Sequence, residues 1–446
     1  MTTTTATLSL GRRTDAAAHA GFREIDGRPV MWCEVAGGPH HGAITFAGGA
    51  ALARAVELAV EVRIPVVFRI DSSGAEITEG VAALHAWGGV ARALARASGV
   101  VPTAVIVTGA CLSGPSLLLG IVDAVVMTDT AFAFLSGPEM VAEFTGVAVD
   151  RVGLGGAGMH ESRSGVATIV VEDTDAASEA VAMLLSYLPS HALARPAESD
   201  DAADPVGRPC TVASHIVPDS PTAAYDMFEL LDDVCDTDSL CEIRAHYAPN
   251  VITAFARVGG IPVGIVANQP AQRAGTLDIE ASRKAARFVS WCDAFDLPIV
   301  TFVDTPGFEP GKDLEWRGMI RHGAELVHAY CEATVPRVCV IVRKAFGGAY
   351  IVMDSRGIGN DVCVAWPTAE IAVMGASGAV QILGNKGVTA NAYGEVFLNP
   401  YRAAERGLVD AVIDPIDTRR VVAAALRRIG SKRRVGQSRK HSNSPQ

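Results

Sequence analysis

Two adjacent glycines interrupt an apolar run at residues 343–353, which read RKAFGGAYIVM and follow a strand-like VPRVCVIV. Glycine inside a regular element costs about 0.5–1 kcal/mol, so the pair indicates that something approaches the backbone closely. A strand that ends in a glycine turn and enters a helix presents free backbone N–H groups at the positive end of the helix. Such donors can stabilise the negative charge that develops on the oxygen of a thioester or ureido carbonyl. The turn therefore predicts an oxyanion site.

A second turn, ACLSGP at residues 110–115, stands at the equivalent place in an internal repeat. Three pairs of anchors recur in the same order in the two halves of the chain. A proline precedes an aspartate by six residues at Pro65 and Asp71, and again at Pro298 and Asp304. A proline precedes a glycine by twelve residues at Pro102 and Gly114, and again at Pro336 and Gly348. An aspartate precedes a glycine by fourteen residues at Asp123 and Gly137, and again at Asp361 and Gly375. Glycine turns also allow helices to pack closely on a sheet, but two of them at equivalent places in a repeat favour a chemical role.

The elements that must position these turns alternate between strand and helix in each half. IPVVFRIDSSG and LPIVTFVDTPG read as buried parallel strands that end in an aspartate and a glycine-bearing turn. Apolar residues at three-to-four spacing predict helices over 83–98 and 317–333. The sequence therefore predicts a duplicated α/β fold with mostly parallel strands.

An acidic, proline-rich segment without periodicity divides the chain almost in half. We expect a disordered leader at 1–20, an N-terminal lobe at 21–195, a linker at 196–221, a C-terminal lobe at 222–430 and a basic disordered tail at 431–446.

Other kinds of site find less support in the residues. No GxGxxG lies between a strand and a helix, and no Walker loop is present. Asp71 and Asp304 precede helices, so we expect them to act as helix caps. Ser113 lies in a turn but lacks the G-x-S-x-G setting of a nucleophile, and no histidine can be assigned to it from the sequence. The nine cysteines contain no CxxC pair, so no metal site is predicted.

The composition excludes several classes of protein. A net charge of −11 argues against a nucleic-acid-binding body, because such proteins need a basic surface to displace phosphate counterions. The apolar stretch at residues 100–127 contains two prolines and an aspartate, so we expect a buried strand-turn-helix-strand and no membrane span. The N-terminus shows no secretory signal and the cysteines read as reduced thiols, which together predict a cytoplasmic protein.

The motifs resemble those of one family in particular. The second half reads GIPVGIVANQP, VDTPGFEPG, RKAFGGAY and AWPTAEIAVMGASGAV, and the first half agrees through DSSGAEITEG, ASGVVPTAVIVTGACLSG and LGGAGMHESRSGVA. Over residues 25–430 the chain resembles the carboxyltransferase (β) subunits of biotin-dependent acyl-CoA carboxylases of the acetyl/propionyl type. The resemblance implies two tandem crotonase-like (ClpP/crotonase) lobes and a homo-oligomer of dimers, usually a ring-shaped hexamer, with each active site between the N-lobe of one subunit and the C-lobe of its dimer mate.

The resemblance also implies which residues do the chemistry. The N-lobe would hold the coenzyme A thioester, and the C-lobe would receive carboxybiotin, which a biotin carboxylase/biotin carrier partner subunit carries. The biotin-side N–H pair would fall on Gly348 and Ala349, beside Gly347, and the thioester-side pair on Ser113 and Gly114. The implied substrate-binding residues are Gly74, Ala75, Cys111, Ser113, Gly114 and Ile351. Carboxyl transfer to the α-carbon of a short acyl group would then proceed through an enolate without a dedicated side-chain base.

Two positions depart from the family pattern. The family's thioester turn usually reads Gly-Gly-Ala, whereas this chain has Ser113, Gly114 and Pro115, and proline has no N–H to donate. Glu76 stands where many members carry an arginine. The altered turn, together with peripheral helical segments that are shorter than is usual in the family, keeps two alternatives open: a decarboxylase of a malonyl-type or carboxylated thioester, bound to coenzyme A or to a carrier protein, and a weakly catalytic structural subunit.

Overall fold

The structure is a computed structural model, and it describes residues 17–38, 40–199, 204–383, 389–432 and 442–443. The chain divides into two compact units, Met1–Arg195 and Pro196–Gln446. Each unit is an α/β structure built around one sheet, as the internal repeat predicts.

The first unit contains one mixed sheet. Its strands are β1 Ala18–Ile25, β2 Arg28–Val35, β3 Val66–Ser72, β4 Thr103–Leu112, β5 Ala124–Thr128, β6 Phe132–Phe134 and β7 Ile169–Val171. Within the described residues they run in the order β1-β2-β3-β4-β5-β7, and β6 pairs with the end of β4. Only the β1–β2 pair among these is antiparallel. The parallel strands β4 and β5 are buried and read as near-continuous apolar runs, as expected for a sheet that is covered on both faces.

The helices of the first unit are α1 Phe46–Val62, α2 Val81–Ala97, α3 Leu118–Ile121, α4 Pro138–Thr145, α5 Arg151–Gly155, α6 Ala157–Met159 and α7 Thr174–Tyr187. Helices α1 and α7 pack on this sheet, and α2 packs on α1. The buried residues of α2 recur at three-to-four spacing, which is the pattern that predicted a helix over 83–98. That prediction is confirmed to within two residues.

The second unit repeats this arrangement. Its strands are β8 Cys241–Ile243, β9 Val251–Val258, β10 Ile261–Asn268, β11 Ile299–Thr305, β12 Arg337–Phe346, β13 Val362–Ala365, β14 Glu370–Ala372 and β15 Ala411–Val412. In the part that the structure describes, they follow the order β15-β13-β12-β11-β10-β9-β8, with β14 paired to β12. Strands β9 to β13, with β14 and β15, therefore match β1 to β7 one for one.

The helices of the second unit include the predicted one over 317–333. They are α8 Met227–Val234, α9 Ile279–Ala294, α10 Lys312–Trp316, α11 Met319–Glu332, α12 Gly347–Val352, α13 Ala376–Leu383, α14 Ala390–Phe397, α15 Pro400–Glu405 and α16 Thr418–Ile429. Helix α11 confirms the prediction to within two residues at each end. Helix α12, which starts directly after β12, is the helix that the Gly-Gly-Ala turn enters.

The ends and the middle of the chain differ in detail from the expected boundaries. Residues 1–16 of the predicted leader lie outside the described residues, and β1 begins at Ala18, so ordered structure starts before residue 21. The segment 196–221, predicted as a linker, has neither helix nor strand in its described residues but packs on the second unit: the Ser199 N–H donates to the Gly260 carbonyl at 2.9 Å, and Cys210 is fully buried. Most of the predicted tail, 431–446, lies outside the described residues; Lys432 pairs with Asp361.

The apolar stretch at residues 100–127 forms β4, the turn, α3 and β5. Among the helices in the described ranges, none combines the length and the hydropathy that crossing a bilayer requires.

Candidate active site

An aspartate at the end of a strand fixes the start of each turn. Asp71 lies where the pairing of β3 with β4 shifts register, and its Oδ1 accepts a hydrogen bond from the Ala110 N–H at 2.9 Å. Asp304 lies at the same shift between β11 and β12, and its Oδ1 accepts from the Lys344 N–H at 3.1 Å. Ala110 and Lys344 are both the eighth residue of a ten-residue strand. The prediction that these aspartates cap helices was wrong: Gly80, Gly311 and Gly318 precede α2, α10 and α11.

The aspartate of the second unit also belongs to a buried charged network. Asp304 Oδ2 accepts from Arg343 Nε at 2.9 Å and from the Tyr225 hydroxyl at 2.8 Å. Asp304 is fully buried and Arg343 is 6% exposed. Burial raises the pKa of Asp304, and the neighbouring guanidinium opposes that shift. The network connects the end of β11 to Arg343, which lies three residues before the end of β12. It therefore fixes the backbone just before the turn at Gly347.

The turn of the second unit is built on a glycine with positive φ. Gly347 has φ +60°, and a Cβ at this position would lie 3.1 Å from the Val373 carbonyl oxygen. Phe346, the N-cap of α12, makes no side-chain hydrogen bond to the helix. Because the first N–H groups of a helix have no partner within it, those of Gly348 and Ala349 remain available to a ligand. The arrangement suits a ureido carbonyl, an acceptor that takes two N–H donors.

The turn of the first unit shares a positive φ with that of the second but offers different donors. Ser113 has φ +59° and ψ −148°, and it precedes a 3-10 turn at Gly114–Leu117. In the paired strands, Leu112 lies opposite Phe134 as Phe346 lies opposite Ala372. Ser113 therefore corresponds to Gly347, and Gly114 and Pro115 correspond to Gly348 and Ala349.

This register bears on the predicted thioester-side pair, Ser113 and Gly114, which stays a prediction. The Ser113 N–H donates to the Phe134 carbonyl at 2.9 Å, so the strand pairing uses it. Pro115 has no N–H. Of the three residues in this turn, Gly114 alone keeps an N–H for an oxyanion.

A tryptophan covers Gly114. A Cβ on Gly114 would lie 2.6 Å from Trp87 Cε2 and 2.8 Å from Trp87 Nε1, so only glycine fits beneath the ring. The indole N–H is buried and has no hydrogen-bond partner among the described residues. A second potential donor therefore lies beside the first. Trp87 could not be recognised as a donor from the sequence, because it lies on α2, outside the turn that contains Gly114.

The remaining substrate residues are placed differently from one another. Gly74, with φ +114°, lies against the turn: its Cβ would be 3.4 Å from Ser113 Cβ. Ala75 forms a β-bridge with Ile44. Cys111 is fully buried and burial raises the pKa of its thiol to about 12, so its side chain is part of the core and does not face a substrate. Ile351 lies on α12 and is 43% exposed.

An apolar cavity of about 340 Å³ adjoins the first turn, and Leu117, Phe134, Leu135, Leu154 and Val166 are among the residues that line it. His160 also lines it, but both ring nitrogens are engaged, with Ser164 Oγ and the Ala133 carbonyl, each at 2.8 Å. The cavity therefore suits an apolar group.

His40 and Glu76 form a hydrogen-bonded pair in the first unit, and His40 was not recognised in the sequence. His40 Nδ1 is hydrogen-bonded to Glu76 Oε2, while Glu76 Oε1 accepts from the Thr78 hydroxyl at 2.6 Å and the Thr78 N–H at 3.0 Å. The Glu76 side chain is 6% exposed and the His40 side chain 55%. The hydrogen bonds from Thr78 and then from His40 lower the pKa of Glu76 to about 2. The only signal for His40 was a Pro-His-His run between a strand and a helix.

Within the described residues, no group of three or more His, Cys, Asp or Glu side chains is placed to hold a metal ion.

Comparisons with known proteins converge on one family. The Carboxyl transferase domain family matches residues 6–444. The propionyl-CoA carboxylase beta chain of Saccharopolyspora erythraea is 43% identical over 449 residues, covering 95% of this chain and 82% of that protein. The methylmalonyl-CoA decarboxylase subunit alpha of Veillonella parvula is 41% identical over 430 residues, covering 95% and 84%. Transcarboxylase 12S, solved as a hexamer with methylmalonyl-coenzyme A and methylmalonic acid bound, superimposes with a TM-score of 0.93 at 40% identity, covering 96% of this chain and 85% of that one.

Proposed function

The chain belongs to the carboxyl transferase family, and from its two turns we infer how it works as the acyl-CoA carboxyltransferase of a biotin-dependent enzyme. Its units are crotonase-type lobes, as the resemblance implied. The observation that carries the proposal is the equivalence of the turns at Ser113 and Gly347, each of which directs N–H donors from a strand end into a helix.

The second unit provides the biotin-side donors. Carboxybiotin, when bound, supplies the carboxyl group that is transferred. The N–H groups of Gly348 and Ala349 would hold its ureido oxygen, because they stand at the uncapped start of α12. Gly347 allows the positive φ that orients these two N–H groups, and the buried Asp304–Arg343 pair fixes the end of β12 that precedes them.

The first unit provides the thioester-side donor. The Gly114 N–H would donate a hydrogen bond to the carbonyl oxygen of an acyl thioester as negative charge develops on that oxygen, which acidifies the α-carbon that receives the carboxyl group. The adjoining apolar cavity would take the acyl chain. We assign propionyl-CoA or acetyl-CoA as the substrate, since similar proteins carry the names propionyl-CoA carboxylase beta chain and acetyl-/propionyl-coenzyme A carboxylase beta5 subunit.

The assembly follows from the same similarity. We assign a homo-hexamer on the strength of the hexameric transcarboxylase 12S, and a partner subunit that carries biotin on the strength of the biotin-dependent carboxylase relatives. The cytoplasmic location is proposed from the cysteines, which read as reduced thiols. The decarboxylase alternative is less well supported, because the family itself is one of carboxyl transfer and the carboxylase is the more similar of the two relatives described above.

The test is carboxyl exchange with purified protein. Labelled methylmalonyl-CoA and malonyl-CoA are offered with and without free biotin, and loss of the labelled carboxyl group is followed. We expect loss that requires biotin. Gly347→Ala should abolish it, because an alanine there would be strained at positive φ, whereas Gly207→Ala, at an open position in the same unit, should not. Loss without biotin would establish the decarboxylase, and no loss under either condition would support the structural subunit.

A further inference from the structure

The apolar cavity of the first unit reaches the turn that carries Gly114. Two of the residues that line it are hydrogen-bonded to Ser113: the Ser116 hydroxyl donates to the Ser113 carbonyl at 2.7 Å, and the Phe134 carbonyl accepts from the Ser113 N–H at 2.9 Å. Gly114 is the next residue along the chain after Ser113. The wall of the cavity therefore begins one residue from the N–H that we assign to the thioester carbonyl.

The side chains that line the cavity offer almost nothing to a polar ligand. Of the ten residues that line it, only Ser116 and His160 have polar side chains. The Ser116 hydroxyl donates its proton to the backbone, and both ring nitrogens of His160 are engaged within the first unit. A polar group buried here would lose its hydrogen bonds to water without a replacement, and that loss costs free energy. The shape and chemistry of the cavity therefore select a hydrocarbon.

The cavity is larger than a propionyl group requires. A closed apolar cavity of about 150 Å³ takes up benzene, a ligand of six carbons. On the same measure the volume of about 340 Å³ gives room for about twelve carbon atoms. The two carbons beyond the carbonyl of a propionyl group would fill about a sixth of that space. Because unfilled apolar space forfeits the contacts that a ligand would make with the wall, a longer chain should bind more tightly.

Two of the lining residues also face solvent. Leu117 is 48% exposed and Leu135 is 57% exposed, although both are large apolar side chains. Leu117 ends the 3-10 turn that starts at Gly114, and Leu135 directly follows β6. Exposed apolar side chains at the edge of a cavity are typical of a ligand-binding groove. The cavity is therefore open beside the turn, as a chain attached to a thioester requires.

We propose that this cavity binds the hydrocarbon tail of medium-chain acyl thioesters, with about eight to ten carbons in the acyl group, in addition to the short acyl groups assigned above. The tail lies against the leucine, phenylalanine and valine side chains of the cavity while the thioester carbonyl stays at the Gly114 N–H. The choice of a coenzyme A thioester rests on the proposed function. The preference for a longer apolar chain rests on the volume and lining of the cavity.

The test is titration calorimetry of the full-length protein with coenzyme A and with its propionyl, hexanoyl, octanoyl and decanoyl thioesters. Each methylene that enters the cavity should lower the Kd by about twofold to fourfold, so octanoyl-CoA should bind at least about thirtyfold more tightly than propionyl-CoA. The gain should level off near decanoyl-CoA, where the cavity is full. Leu154→Trp, which fills the cavity from α5, should reduce the octanoyl-to-propionyl ratio to less than about fivefold. Leu193→Trp, at an exposed residue outside the lining, should keep the wild-type ratio.

Leu135→Trp, at the open edge of the cavity, is a second filling variant, and a melting curve verifies that each variant is folded. The ratio of the two affinities within one variant removes any general loss of binding. An affinity that does not rise from propionyl-CoA to octanoyl-CoA, a rise that persists in both filled variants, or no binding of any thioester would overturn the proposal. Carboxyl exchange on the same samples separates the two ideas. A chain-length gain without biotin-dependent exchange would refute carboxyl transfer alone, and exchange without a gain would refute the cavity assignment alone.

Discussion

Replacing Asp304 with asparagine should destabilise the second unit far more than the matching change destabilises the first. Asp304 is fully buried and accepts from Arg343 Nε, the Tyr225 hydroxyl and the Lys344 N–H at 2.8–3.1 Å. Asparagine would leave the Arg343 guanidinium, 6% exposed, without its counter-charge. Breaking a buried pair in this way costs about 3–5 kcal/mol, because the remaining charge stays desolvated. The second donation of Arg343, to the Ala223 carbonyl at 2.9 Å, does not replace the carboxylate.

Asp71→Asn is the matched control, because Asp71 occupies the same place in the repeat. Its described contacts comprise one hydrogen bond, from the Ala110 N–H at 2.9 Å, and no cation. An asparagine oxygen can still accept that bond, so we expect a loss of less than about 1 kcal/mol.

Native-state hydrogen exchange suits this comparison, because the chain has two units and a single unfolding free energy would average over them. Amides of β11 and β12 should lose about two to four orders of magnitude of protection in Asp304→Asn, which is the energetic cost expressed as a ratio. Amides of β3 and β4 should lose at most about tenfold in Asp71→Asn. Equal losses in the two variants would refute the claim that the buried charge, and not the shared hydrogen bond to the next strand, holds the second turn.

Three further predictions concern the turns and their surroundings. Pro115→Ala restores an N–H at the position that matches Ala349, so carboxyl exchange should rise by about tenfold or more, and an unchanged rate would show that this turn needs no second donor. Glu76 has its pKa lowered to about 2 by hydrogen bonds from Thr78 and His40, so the folded chain resists protonation there. Its stabilising effect should be complete above the ordinary pKa of a glutamate and be lost as the pH falls towards 2; melting temperatures of wild type and Glu76→Gln should therefore converge on acidification, and a constant difference would contradict this. Gly347→Ala should lower the melting temperature, since the new Cβ meets the Val373 carbonyl at 3.1 Å with φ at +60°, and a higher melting temperature would contradict the strain argument.

The repeat was readable from the sequence because its anchors are local. Pro65, Asp71 and their partners in the second half mark strand starts and strand ends, and spacing within one strand–turn–helix unit is a property of neighbouring residues. The role of Asp304 was not readable in the same way. Arg343 and Tyr225 are 39 and 79 residues away, so only the pairing of β11 with β12 brings a cation and a hydroxyl to a carboxylate that otherwise looks like a helix cap.

The thioester turn shows why the register of the sheet, and not the motif, decides which residues can act. The sequence left open whether Ser113 or Pro115 matches a donor of the second unit. Strand β6 settles the question, since its Phe134 takes the Ser113 N–H and forces Ser113 into the position of Gly347. One consequence is the loss of a donor at Pro115. The other is a serine at a positive φ that glycine would adopt without strain. Two turns that share this positive φ therefore differ in chemistry: the second unit offers two N–H donors, and the first offers one N–H donor and a serine hydroxyl.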